Sequence, residues 1–344
     1  MEKYGYRFSF GPWNIHEGAD PFGPPVRPTR DFENKLAVYK ELGFDAVQFH
    51  DDDAVPELND FSAAQIRQRA QAVRRRLSDL GLVAEFVAPR LWEHPITIDG
   101  AFTSNDPEAR AYALERAKKA IDISHELETD LLVLWLAREG TYLREAKDAY
   151  RATQQLLEAL NALLEYDPQV RIAIEPKPNE PMDLAYIPTM GHGLALGFQT
   201  NDPSRVGVLM ESAHAILAGL DPSDEIAFAM VFGKLMSVHL NDQNGLKYDQ
   251  DRSFGSVDLR RAFNQVRILD AYEYWKVGMI GLDVKAIRTQ PAPIATKHLS
   301  NSLHTFLHLI EVVRSLDQKT VNDLIGRRDY EELDWLILNS LMGR

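Results

Sequence analysis

Along this chain, short apolar runs alternate with longer stretches whose apolar residues return every three or four positions. That alternation predicts successive strand and helix units around a parallel sheet. The short runs predict strands over residues 6–10, 46–49, 83–87, 131–135, 171–175, 206–211, 235–240 and 279–283. Eight of them predict an α/β fold whose sheet closes on itself as a (β/α)8 barrel. Helical spacing is clearest over 32–42, 63–80, 107–127, 145–165 and 259–269, with Gly43 and Gly81 placed as C-terminal stops. The fifth and sixth connections show no comparable repeat. Residues 176–188 hold four prolines, which bars a regular helix throughout and predicts a loop at the barrel mouth.

Residues 318–344 carry Leu324, Ile325, Leu333, Leu336, Leu338 and Leu341 in an amphipathic helical pattern. Such a tail packs either on a neighbouring subunit or on its own barrel, and the pattern supports both equally. The expected organisation is a barrel domain over 1–315 and a short helical C-terminal extension over 316–344.

Composition sharpens this picture in three ways. With 344 residues, 45% of them hydrophobic, the chain can bury a large core. Its net charge of -13 repels phosphate backbones and anionic membranes, so neither nucleic acid nor a membrane is an expected partner. It has no cysteine, so any bound metal must rely on oxygen and imidazole. No long apolar run occurs, and MEKYGYRFSFGPW lacks a basic region followed by an apolar stretch; a cytoplasmic protein is the default expectation.

In a barrel of this kind chemistry gathers at the C-terminal ends of the strands, because the loops leaving those ends form the mouth. Those ends are densely charged here. They carry His50 to Asp53 after the second strand, Glu175, Lys177 and Glu180 after the fifth, and Glu211 with His214 after the sixth. The seventh supplies His239 and Asn241, then Asp249 and Asp251 in its loop, and the eighth Asp283 with Lys285. Taken singly, a carboxylate at a strand end is usually solvated or salt-bridged, a histidine is more often structural, and an Asp-x-Asp in a loop is often a turn. Taken together, acids from several strands converging on one small circle repel one another unless cations neutralise them. Oxygen ligands with one or two imidazoles suit Mg, Mn or Co.

The segments FHDDD, LWLAREG, IEPKPNEP, ExxHxxLAGL, LNDQNGLKYDQD and LDVKAIRT occur in this order, and over about residues 13–288 the chain resembles the xylose isomerases. The resemblance implies a TIM barrel and two divalent metal ions, Mn, Co or Mg. The first would be held by Glu175, Glu211, His239 and Asp283, and the second by Glu211, His214, Asp249 and Asp251. It makes His50, supported by Asp53, the group that assists ring opening, and Lys177 the cation that polarises the carbonyl end of the sugar. Trp13, Trp92 and Trp135 would wall the sugar, Lys285 would contact it, and Phe22 would reach into a neighbouring subunit's site, so that a homodimer or homotetramer is implied.

The activity implied is aldose-ketose isomerisation of a free, non-phosphorylated sugar by a 1,2-hydride shift. The chain departs from the family at His239, where an aspartate is usual, at Leu209-Met210, at Trp92 and at Arg90. A Glu, Glu, Asp, His set also serves sugar epimerases and inosose dehydratases. The alternative is therefore an enzyme of that kind, working through an enediolate.

Overall fold

The computed structural model describes residues 3–246 and 248–343. Residues 1, 2, 247 and 344 lie outside it; they fall at the ends of the two expected domains and within the KYDQD segment. Eight parallel strands close into a barrel in sequence order: β1 (Phe8–Phe10), β2 (Ala46–His50), β3 (Val83–Ala88), β4 (Leu131–Trp135), β5 (Arg171–Glu175), β6 (Val206–Glu211), β7 (Leu235–Leu240) and β8 (Ile280–Leu282). The cylinder closes where Phe8, Ser9 and Phe10 pair with Ile280, Gly281 and Leu282. Each strand falls where the apolar runs predicted it, shorter at the two strands that meet at this seam.

Helices α1 (Phe32–Leu42), α2 (Ala63–Leu80), α3 (Pro107–Glu126), α4 (Ala149–Tyr166), α5 (Met190–Phe198), α6 (Pro222–Val231), α7 (Leu259–Ala271) and α8 (Lys297–Ser315) form the outer ring. Gly43 and Gly81 end α1 and α2 in the left-handed conformation, as their positions predict. Helix α4 begins later than the expected residue 145, because the Asp148 side chain accepts the amides of Tyr150 and Arg151 and caps the helix there. Helix α5, with the sequence MGHGLALGF, was not visible in the apolar repeat. A Cβ on Gly193 or Gly197 would lie only 3.0 Å from Val208 or Val206 on β6, so both glycines serve close helix-strand packing.

Residues 176–188 form a loop at the mouth, as expected. Its Leu184–Ala185 pairs antiparallel with Gly140–Thr141, and a Cβ on Gly140 would sit 2.4 Å from the Leu184 carbonyl oxygen. The tail forms two helices, α9 (Gln318–Arg327) and α10 (Tyr330–Leu341). Leu324 is buried, Ile337 and Leu341 pack against the core, and Asp334 pairs with Arg260 of α7. The tail therefore lies on its own barrel.

Side chains alternate along each strand, so odd and even positions have different tasks. On β6, Val206, Val208 and Met210 face the helices, while Leu209 packs inside the barrel with Phe86, Ala88, Leu131, Val133 and Ala173. Strands β3 and β7 each break the alternation with one extra residue. Val47 and Phe49 of β2 pair with Ala84 and Val87, so β3 carries one extra residue, a bulge. Both Glu85 and Phe86 consequently face the interior: Glu85 bonds Ser9 and Ser237 across the barrel, and Phe86 joins the internal cluster.

The mouth is stapled across the seam. Arg27 donates to the carbonyl oxygens of His16 on the β1 side and of Ala286, Ile287 and Gln290 on the β8 side, over 2.8–3.1 Å.

Candidate metal centre

Strand register sets the centre. Glu211 pairs with His239 and Trp135 with Glu175 in the ladder, which places these side chains at one level near the C-terminal rim. Three groups of potential ligand atoms gather there, each within 4.8 Å: Glu175, Glu211 and His214; Glu211, His239 and Asp283; Glu211, Asp249 and Asp251. Glu211 belongs to all three. His214 joins because it lies one turn beyond Glu211, on the short helix Ser212–Leu217. The seven residues expected to hold metal are thus brought together.

His239 Nδ1 lies 3.5 Å from Glu175 and 3.4 Å from Glu211. His214 Nε2 lies 3.2 Å from both Glu211 and Asp249. Two lysines complete the circle: Lys177 Nζ is 2.8 Å from Asp249, and Lys285 pairs with Asp251. Asn241, fixed by accepting the Ala213 amide at 2.7 Å, donates to Glu211 at 2.9 Å.

Charges this close and this buried shift one another. Burial pushes the Glu211 carboxyl up in spite of His214 and His239 beside it, and burial together with Asp249 pushes Asp251 well up. Asp283 rises through burial and its neighbour Glu211. At Glu175 burial works against ionisation, but His239 and His214 hold the carboxyl below its usual range. Asp249 is likewise buried, yet Lys177 and His214 hold it well below. Burial would lower both histidines, but Glu211 raises His214, and Glu175 and Glu211 raise His239. Five acids, two histidines and two lysines thus meet in one buried space.

Two further observations fit a divalent ion. Asp249 Oδ1 and His214 Nδ1 are buried and have no hydrogen-bond partner among the described residues, leaving lone-pair capacity aimed into the cluster. The donor set, carboxylates with two imidazoles and no sulfur, is one that hard or borderline divalent ions accept.

Above the cluster opens a cavity of about 610 Å³ lined by Trp13, His50, Trp92, Trp135, Lys177 and Lys285 among others. The aromatic rings form a continuous wall: Trp13 to His50 at 4.1 Å, His50 to Trp92 at 5.1 Å and Trp92 to Trp135 at 4.5 Å between centroids. Trp13 Nε1 also donates to Asp283 at 2.9 Å, tying the wall to the centre.

His50 Nδ1 lies 3.2 Å from Asp53, the expected support, and 2.8 Å from Arg90 Nη2. Both Asp53 and Arg90 meet the same ring nitrogen, and His50 lines the cavity with the rest of its ring. Arg90, visible in the sequence only as a departure from the family, thus joins Asp53 in holding His50. Phe22 is not in the cavity: it stands 80% exposed at the rim, edge-on to Tyr248.

Residues 36–300 match the family described as xylose isomerase-like TIM barrel. The chain belongs to that family. Solved structures similar to it include a D-tagatose 3-epimerase-like protein, at 16% identity and TM-score 0.62, covering 89% of this chain and 98% of the other. A 3-keto-D-glucoside 4-epimerase from E. coli is similar at 15% identity and TM-score 0.61, over 87% and 99% of the two chains. A xylose isomerase domain protein from Planctomyces limnophilus is similar at 16% identity and TM-score 0.61, over 90% and 100%. At these identities the structures share the family's barrel fold.

Two residues beneath the centre, Gln48 and Glu85, gave no signal in the sequence. Gln48 lies within the apolar run of β2, and the bulge that turns Glu85 inward has no sequence mark.

Proposed function

We propose that this chain is a divalent-metal-dependent enzyme that rearranges a free sugar at the carbon next to its carbonyl. The observation that carries the reading is the convergence of three potential ligand groups on Glu211, beneath a tryptophan-walled cavity. A divalent ion in such a centre would polarise a carbonyl and lower the pKa of an adjacent hydroxyl.

The chain's own residues supply the rest. Trp13, Trp92 and Trp135 offer flat apolar faces to a sugar ring and exclude water from it. His50, held by Asp53 at the cavity wall, would meet the ring oxygen, which suits ring opening. Lys177, buried but held charged by Asp249 and Glu180 in spite of that burial, places a cation where negative charge would grow on the substrate's oxygen.

Two routes share these parts. The named epimerases among the similar structures, and the histidine in the first ligand set, support carbon inversion through an enediolate more than they support a hydride shift. Glu175 or Glu211 would then remove the proton. The pair Asp249 and Asp251, able to help hold a second ion with Glu211 and His214, supports the 1,2-hydride shift of an aldose-ketose isomerase.

Turnover of candidate aldoses and ketoses in deuterated water, with Mg, Mn or Co added to metal-stripped protein, separates them. Proton abstraction introduces solvent deuterium at carbon, and a hydride shift retains the substrate's hydrogen. Absence of turnover with every ion and sugar would sink the proposal.

A further inference from the structure

We infer that Gln48 and Glu85 are positioning residues that fix which nitrogen of His239 faces the candidate metal centre. The inference rests on the metal-centre reading and deepens it. His239 has two ring nitrogens with different neighbours. Nδ1 looks toward Glu175 and Glu211, while Nε2 lies 3.1 Å from the amide oxygen of Gln48. An amide oxygen only accepts, so Nε2 must be the nitrogen that carries the proton. Nδ1 is then the one with a lone pair to offer an ion.

The orientation of the Gln48 amide is itself fixed. Its Nε2 donates to Glu85 at 3.1 Å and to Ser9 Oγ at 3.1 Å, and Ser9 in turn donates to the Glu85 carboxylate. Ser237 donates to the other Glu85 oxygen at 2.8 Å. Turning the amide over would set its oxygen against a carboxylate and its NH2 against the Nε2 proton. All four residues are buried, so water cannot make good the loss.

The packing agrees. A Cβ on Gly281 would stand 2.3 Å from Gln48 Nε2 and 3.2 Å from His239 Cδ2, so the strand beside them is kept bare where the amide meets the imidazole. The β3 bulge adds the last part, because it turns Glu85 into the interior while Phe86 also stays there and flanks the His239 ring at 5.8 Å. A carboxylate beneath a ring of carboxylates is electrostatically costly. Its placement is explained if its task is to hold the amide that orients the one imidazole in the first ligand set.

The test combines ion affinity with the state of the ring. Manganese affinity is measured by chelator competition on the wild-type chain and on Gln48→Leu and Glu85→Gln. NMR of isotope-labelled histidine in the zinc-loaded chain reads which His239 nitrogen is protonated. The expected result is a protonated Nε2, faster solvent exchange of that proton in Gln48→Leu, and manganese binding about 10–100-fold weaker in that variant. Glu85→Gln, nearly isosteric, is expected to weaken binding by a smaller factor, because its amide no longer fixes the turn of Gln48. A proton found on Nδ1, or unchanged manganese affinity in both variants, overturns the inference while leaving the metal centre standing. A wild-type chain that binds no divalent ion overturns both.

Discussion

At the scale of single residues, the site is organised by which charge neighbours which. Lys177 touches Asp249, so it belongs both to the catalytic proposal and to the balance of the centre. Replacing Lys177 with Met should lower turnover by about 100-fold or more, since a positioned cation or proton donor contributes on that order. Because an ion held by Asp249 would compete with Lys177 for it, manganese binding should hold or tighten; calorimetric titration that shows weakened binding would refute the competition. His239→Asp should move the ratio of Mg-supported to Mn-supported activity toward Mg, since a carboxylate favours the harder ion.

His298, on α8, is buried, and its Nε2 donates to the carbonyl of Asn14, whose side chain accepts the Val284 amide at the mouth. Burial lowers its pKa to about 4. The unfolded chain, with a histidine near 6.5, binds more protons between those values. Stability from this residue is therefore full above about pH 6.5 and is lost as pH falls toward 4, at up to about 1.4 kcal/mol per pH unit. Denaturant unfolding of His298→Gln across this range should show a shallower decline than the wild type.

At the scale of elements, the connection after β2 is held by a buried ion pair. Asp51 begins a one-turn helix at the mouth and is fully buried, and Arg116 of α3 grips it with two bonds of 2.7 and 2.8 Å. Removing one member of a buried pair strands the other, so Arg116→Met should cost about 3–5 kcal/mol in urea unfolding. It should also loosen His50, which adjoins the same turn.

Elements whose apolar spacing matched their period were legible in the sequence, among them all eight strands, α1 and α2. Helix α5 was not, because Gly193 and Gly197 are chosen for close approach to β6 and so look like helix breakers. The candidate ligands were legible because charged residues at successive strand ends have no common packing reason. Arg90 was seen but not its grip on His50, and Gln48 and Glu85 were missed. Their importance depends on which atom meets which across the barrel, and spacing along one strand carries no such information.

At the scale of the whole molecule, the centre depends on closure. The candidate ligands come from β5 through β8, the tryptophan wall from β1, β3 and β4, and His50 from β2, so the loop staple between Arg27 and the β8 side brings first and last contributors together. No helix among the described residues is long and apolar enough to cross a membrane. Phe22 at the rim lies outside its own cavity, and the proposal that it completes a neighbouring copy's site has a direct check. Phe22→Ala should leave the melting temperature unchanged and raise KM, and sedimentation should find at least a dimer in the wild type; a monomer with unaltered kinetics would remove that role.

The extra residue in β3 has a consequence for how such barrels can diverge. Deleting Glu85 would restore strict alternation, leave the neighbouring strands able to pair as before, and keep Phe86 at the single remaining inward position. An enzyme of this shape could therefore gain or lose the acid under its rim by a one-codon insertion or deletion, a change that comparison of aligned positions alone would register as a gap.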